Sequence, residues 1–169
     1  MDNRAEQYTL GDYIIAKFHV GGGVIDAIVK ILDMSGDGVG AVYSKDLVKQ
    51  IYDAFGWDEF EPVPLVESDL ERLGFVIDES IQDAKVYTAE WFPNNMRIYS
   101  YPEDNVFAVV SFSITNPDIT QADLTNMVFV RYVHELRRIL KVYGIEREIE
   151  IEPDDSRIGI NNPNTKDDL

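Results

Sequence analysis

From Thr120 to Tyr143 the chain keeps apolar residues at helical spacing for longer than anywhere else in its length. Leu124, Val128, Leu136, Ile139, Leu140 and Tyr143 recur at that spacing, with Phe129 and Val133 widening the stripe. Thr120 stands where an N-cap would, Asp123 three residues on is a weaker relative of the capping-box acid, and Gly144 supplies a stop. Read this way, the segment is one helix of roughly 36 Å, at about 1.5 Å per residue, long enough to cross the face of a small sheet.

A sheet to receive it is expected just upstream, where the period changes to two. Lys85–Phe92, Met96–Tyr101 and Val106–Ile114 read as strands, separated by the short breaks Pro93-Asn94-Asn95 and Pro102-Glu103-Asp104-Asn105. Loops that short join antiparallel neighbours, which predicts a three-stranded meander. In its third strand Val106, Ala108, Val110, Phe112 and Ile114 share one face while Phe107 and Val109 cover part of the other, the mark of a strand buried on both sides. Ahead of the meander, Ser68 and Glu71 suggest a capping box for a helical turn closed by Gly74, followed by an edge strand over 75–77. Behind the long helix, 146–152 alternates glutamates with Ile149 and Ile151, which predicts a half-exposed C-terminal edge strand.

The N-terminal third reads as helical. Leu10, Ile14, Ile15 and Phe18 fit one amphipathic helix; Ile25, Ile28, Val29 and Leu32 fit a second, with Asp26 facing Lys30 one turn on. Leu47, Val48, Ile51, Tyr52 and Phe55 fit a third, opened by Ser44 or Asp46 and ended by Gly56. Gly21-Gly22-Gly23 is read as a turn between helices rather than a phosphate cradle, because no Lys-Ser/Thr pair follows and Asp26 would repel an anion. The expected fold class is therefore α+β. A helical section over 1–56 is followed by a proline-marked linker over 57–67, an antiparallel sheet with its long helix over 68–152, and a polar tail over 153–169.

The bulk composition bears on function mainly through charge. Thirty-one Asp and Glu against 15 Lys and Arg give a formal net charge of -16. Such a surface repels phosphate backbones, so direct generic binding to nucleic acid or to an anionic membrane is not expected. No apolar run reaches the length of a membrane span and no secretion-signal order opens the chain, so a cytoplasmic protein is expected. The chain has no Cys, which removes thiol nucleophiles and cysteine-ligated metal sites.

Few residue patterns point to chemistry. Asp33, Ser35 and Asp37 alternate ahead of Gly38 as in the first half of an EF-hand loop, which makes them a candidate Ca2+ site. The twelfth position is Ser44, however, which cannot supply the bidentate carboxylate that completes such a shell. No HExxH, GxSxG or P-loop pattern occurs, so nothing positive supports an enzyme, although a carboxylate-based site stays open. On the long helix Arg131, His134, Arg138 and Lys141, flanked by Arg137, would form a basic stripe on an acidic protein. Trp57, Phe60, Trp91, Tyr99 and Tyr101 are candidate interface aromatics.

Together these features predict a non-enzymatic protein-interaction or assembly module that binds a protein partner or a second copy of itself and holds no cofactor. Two alternatives go with it. One is an acidic decoy that mimics nucleic acid on a basic partner, as small viral accessory proteins do. The other is a Ca2+-binding module with a degenerate EF-hand-like loop.

Overall fold

Side chains alternate across ladders through about half of the described residues, including where helical spacing had suggested otherwise. The computed structural model describes residues 7–20, 23–43, 51–79, 84–113 and 123–151. Over them the protein is mostly β: two antiparallel sheets of five strands each, with two short helices. The chain divides into two compact units, Met1–Pro64 together with Glu150–Leu169, and Leu65–Ile149.

The first unit contains β1 (Tyr13–Val20), β2 (Gly23–Met34), β3 (Gly38–Tyr43), β4 (Ile51–Gly56) and β5 (Phe60–Pro62), in the order β4-β3-β2-β1-β5. The expected N-terminal helical section is thus a sheet. The register of β1 on β2 sets Ile14 against Val29, Ala16 against Ala27 and Phe18 against Ile25. With Ile31, Val39, Ala41, Phe55 and Phe60 these residues form one buried face. Tyr13, Ile15 and Ile28 occupy the opposite face and are buried as well. A strand apolar on both sides reads as a continuous run, and such a run also contains i, i+3 and i+4 matches. That coincidence produced the helical reading. In the core, the rings of Phe18 and Phe55 meet edge to face at 5.0 Å, an arrangement worth about 0.5–1.5 kcal/mol beyond the area it buries. Gly38 is required where β3 lies against β4, since a Cβ there would stand 2.0 Å from the carbonyl oxygen of Phe55.

The second unit opens with helix α1 (Glu67–Leu73). Its first turn is closed by Asp69, whose carboxylate accepts the Val66 N–H at 3.1 Å, rather than by the expected Ser68–Glu71 pair. Then come β6 (Val76–Ile77), β7 (Lys85–Thr88), β8 (Met96–Tyr101), β9 (Val106–Ser113) and β10 (Asp123–Val130), paired in sequence order, and helix α2 (Val133–Val142).

There is no long helix over 120–143. Its first half is strand β10, and only the second half is helical. Arg131 and Tyr132 separate the two, and the Glu135 carboxylate fixes the boundary by accepting both of their N–H groups, at 2.7 and 3.1 Å. Val133, Leu136 and Leu140 form the buried face of α2. Gly144 ends the helix in the left-handed region at φ 71°, and the Ile145 N–H returns to the Leu140 carbonyl at 2.9 Å.

The expected C-terminal edge strand is not formed over the described residues 145–151. Ile149 and Ile151 are buried and the intervening glutamates exposed, but the segment belongs to no ladder. The Thr120 cap, the start of the third helix at Ser44 or Asp46, Gly21 and Gly22, and the tail 153–169 lie outside the described residues.

A candidate binding cleft and an open strand edge

Register determines what the second unit can present. In an antiparallel ladder, alternate residues direct their N–H and C=O at one neighbour, and the residues between them at the other. The Phe112 N–H donates to the Asn95 carbonyl at 2.8 Å, one step beyond the Met96–Ser111 pair. The even-numbered residues of β9 therefore face β8, and Phe107, Val109 and Ser111 face β10. Their partners on β10 are Val130, Val128 and Asn126. The backbone groups of Met127 and Phe129 consequently point away from the sheet. The carbonyl of Arg131, two residues further along the same side, accepts the Leu65 N–H at 2.8 Å, as this alternation requires.

β10 is the last strand of its sheet among the described residues, and its middle is uncharged and apolar on both faces. Met127, Val128 and Phe129 are 38%, 42% and 60% exposed. None of the usual protections of an edge, such as Lys, Pro or an inward-pointing charge, occurs from Asn126 to Val130. A bulge between Leu124 and Asn126 interrupts pairing at the far end.

On the face carrying Val128, β8, β9, β10 and α2 enclose a cleft of about 200 Å3. Met96, Val109 and Val128 line its sheet side, while Ile139, Val142 and Tyr143 line its helix side. Among the described residues its polar lining residues are Ser111, Asn126, Arg138 and Tyr143, and none of its lining residues is acidic. Such a cleft can take an aliphatic or aromatic group.

The residues singled out from sequence are dispersed. Arg131 precedes α2 instead of lying on it, and His134 is buried, its ring stacked on Tyr132 at 5.8 Å. Arg138 and Lys141 are exposed on α2. Only Arg138 lines the cleft, so the four do not form a single stripe. Trp57 and Phe60 approach to 6.0 Å in the first unit, with Phe60 buried in its core. In the second unit Trp91 packs on Phe75 at 4.8 Å and lies under the Arg147 guanidinium at 4.4 Å. Tyr99 is half-buried, and Tyr101 tilts against Phe129 at 6.5 Å.

The EF-hand-like reading loses its flanking helices, because the stretch is the turn between β2 and β3. The Ser35 N–H donates to the Gly38 carbonyl at 2.9 Å, and the Asp33 carboxylate accepts the Tyr52 hydroxyl at 2.6 Å. That bond, followed by partial burial, raises the Tyr52 phenol above its ordinary value. Among the described residues, no group of three or more His, Asp and Glu is placed to hold a metal ion. No helix among them is long and apolar enough to cross a membrane.

Sequence reasoning missed a polar cluster at the start of α1. Glu67 pairs with Lys85, and the Ser100 hydroxyl donates to Glu67 at 3.0 Å. Burial pushes the Glu67 carboxyl up, but hydrogen bonds from Lys85 and Ser100 outweigh it and the net displacement is downward. The bond to Glu67 raises Lys85. Both groups are held in their charged forms, as in an ion pair. The Tyr87 hydroxyl lies beside them, close enough to interact with both charges, yet it is buried without a hydrogen bond of good geometry. The register that pairs Lys85 with Ser100 was the available signal.

Comparisons with protein-family models, curated proteins and solved structures give no match.

Proposed function

We propose that this protein is an interaction module whose second unit takes up an extended segment of another polypeptide along β10. The reading rests on one observation: outward-directed backbone groups at Met127 and Phe129, on an uncharged edge whose three central side chains are exposed and apolar. An added strand satisfies those groups with main-chain hydrogen bonds, while side chains flanking the edge select what is added. The supplier of the strand is a protein partner or a second copy of this chain. The reading takes the protein to be cytoplasmic and to need no cofactor.

The test is selection of displayed random nonapeptides on the wild type, with a Met127→Pro variant as the counter-selection. Proline at an outward-directed amide removes a donor the sheet does not use. Enriched peptides are expected to bind the wild type and to lose at least tenfold in affinity on the variant. Sedimentation velocity over a range of concentrations identifies self-pairing, expected to disappear in the same variant. Peptides that bind both proteins equally, or no enrichment together with a monomer at all concentrations, would refute strand addition.

A further inference from the structure

Of the strands that end the two sheets among the described residues, β10 is the one a second copy can approach without opposing its own charge. β4 carries Asp53, β5 carries Glu61, and β6 runs into Asp78 and Glu79, whereas Asn126–Val130 holds no charged residue. Like charges directly opposed across a ladder destabilise it, and in a chain of net charge -16 that confines strand pairing between copies to this stretch.

Symmetry and hydrogen bonding then leave one register. Two copies related by a two-fold axis meet through the same patch, and their strands run antiparallel. An outward-directed residue must stand opposite another outward-directed residue to exchange both main-chain bonds. Setting Met127 against the second copy's Met127 would bring Phe129 opposite Thr125, at the bulge that already interrupts β10. Setting Phe129 against the second copy's Phe129 would bring Met127 opposite Arg131, whose carbonyl is taken by the Leu65 N–H. With Met127 of each copy opposite Phe129 of the other, the N–H and C=O of both residues are bonded in both copies, and neither obstacle is met.

The side chains agree with that register, since directly opposed residues share a face. On the face opposite the cleft, Phe129, which tilts against Tyr101 at 6.5 Å, meets the second copy's Met127, a sulfur–aromatic contact made twice. On the cleft face, Val128 stands beside the second copy's Val128 at the axis, so each cleft gains the other copy's valine next to its own.

We infer that two copies of this chain join their second-unit sheets through β10, antiparallel about a two-fold axis at Val128, with Met127 of each facing Phe129 of the other. This inference rests on the strand-addition reading and names the second copy as the supplier of the strand. The contact, Asn126–Val130 from each copy, is short beside the about 20–30 residues a side of a standard stable interface, so the dimer forms reversibly and its share grows with concentration.

Disulfide trapping reads the register, and the absence of native Cys permits it. Full-length Val128→Cys, Met127→Cys and Phe129→Cys are each incubated in a glutathione redox buffer, with oxidised glutathione as the oxidant. Covalent dimer is measured on non-reducing gels, and circular dichroism checks that each variant is folded. Opposed residues of a non-hydrogen-bonded pair lie about 4.5 Å apart at Cα, within reach of a disulfide, whereas positions 127 of the two copies stand diagonally, about 8–9 Å apart, beyond it. Val128→Cys is expected to give at least about tenfold more dimer than either neighbour alone, because its thiols meet at high effective concentration. Met127→Cys mixed with Phe129→Cys should cross-link where neither does by itself, and adding Met127→Pro to Val128→Cys should cut its yield to that of the neighbours. Preferential trapping of Met127→Cys alone or of Phe129→Cys alone would overturn the register. No trapping of any variant, with displayed peptides that still lose affinity on Met127→Pro, would overturn self-pairing and leave strand addition standing with another chain as supplier. A Val128→Cys dimer undiminished by Met127→Pro would put the contact off the edge and overturn both, as would no trapping together with no peptide enrichment.

Discussion

Proline scanning of β10 separates the two sides of a single strand. Val128→Pro removes the N–H directed at Val109, a residue only 4% exposed. The lost bond is worth about 0.5–1.5 kcal/mol, and the carbonyl left without a donor costs about 1–3 kcal/mol more, together about 2–4 kcal/mol before any collision of the ring with β9. Met127→Pro, one residue away, removes an amide that points off the sheet. Its side chain is already 38% exposed, so the expected loss is about 1 kcal/mol or less. Urea denaturation followed by circular dichroism measures both. With a slope of about 2 kcal/mol per molar, the Val128 variant should lose about 1–2 M in midpoint and the Met127 variant about 0.5 M or less. Equal losses, or a larger loss at Met127, would show that the ladder runs in the other alternation and that the open edge does not exist as described.

Two predictions concern the cluster at α1. Tyr87→Phe removes a buried hydroxyl that lacks a hydrogen bond, so it should stabilise the protein by about 1 kcal/mol and raise Tm by about 2–4 °C in calorimetry; a lower Tm would mean that the hydroxyl is bonded in solution. The Glu67 carboxyl is held below 4.5, so its contribution to stability is complete above that value and is lost as pH falls through the folded pKa. Lys85, raised above 10.5, contributes until pH climbs through its own folded value and does not act in the acid range. Tm of the wild type should therefore fall more steeply than that of Glu67→Gln between pH 5 and 3, and parallel curves would count against the pairing.

What the sequence conveyed depended on whether one face or both faces of an element were buried. Met96–Tyr101 is paired on both sides and runs between two prolines, so its period of two was legible. Tyr13–Val20 buries Ile14, Ala16 and Phe18 on one face and Tyr13 and Ile15 on the other, and that erases the period. The helix expected over 120–143 failed for a related reason. Leu124 and Val128 match helical spacing with the residues beyond them, but Met127-Val128-Phe129-Val130 is also a run of β-formers, and only the bonds to Glu135 mark the boundary. The cleft was not legible at all. It joins Met96, Val109 and Val128 to Arg138, Val142 and Tyr143 through a register that no local pattern contains.

One pairing in the first unit differs from the others in the time at which it can form. β1 to β4 follow one another as hairpins, and each needs only a short connection to close. β5 must return across nearly the whole unit to set Ile14 against Pro62 and Ala16 against Phe60. Loop-closure entropy makes that the slow encounter, so β5 is expected to dock after the four-stranded meander has formed. Its contacts then belong to the late side of the folding barrier. Weakening Phe60 should chiefly hasten unfolding and leave the folding rate little changed, which makes the shortest strand of the sheet the one that governs how long the unit stays folded.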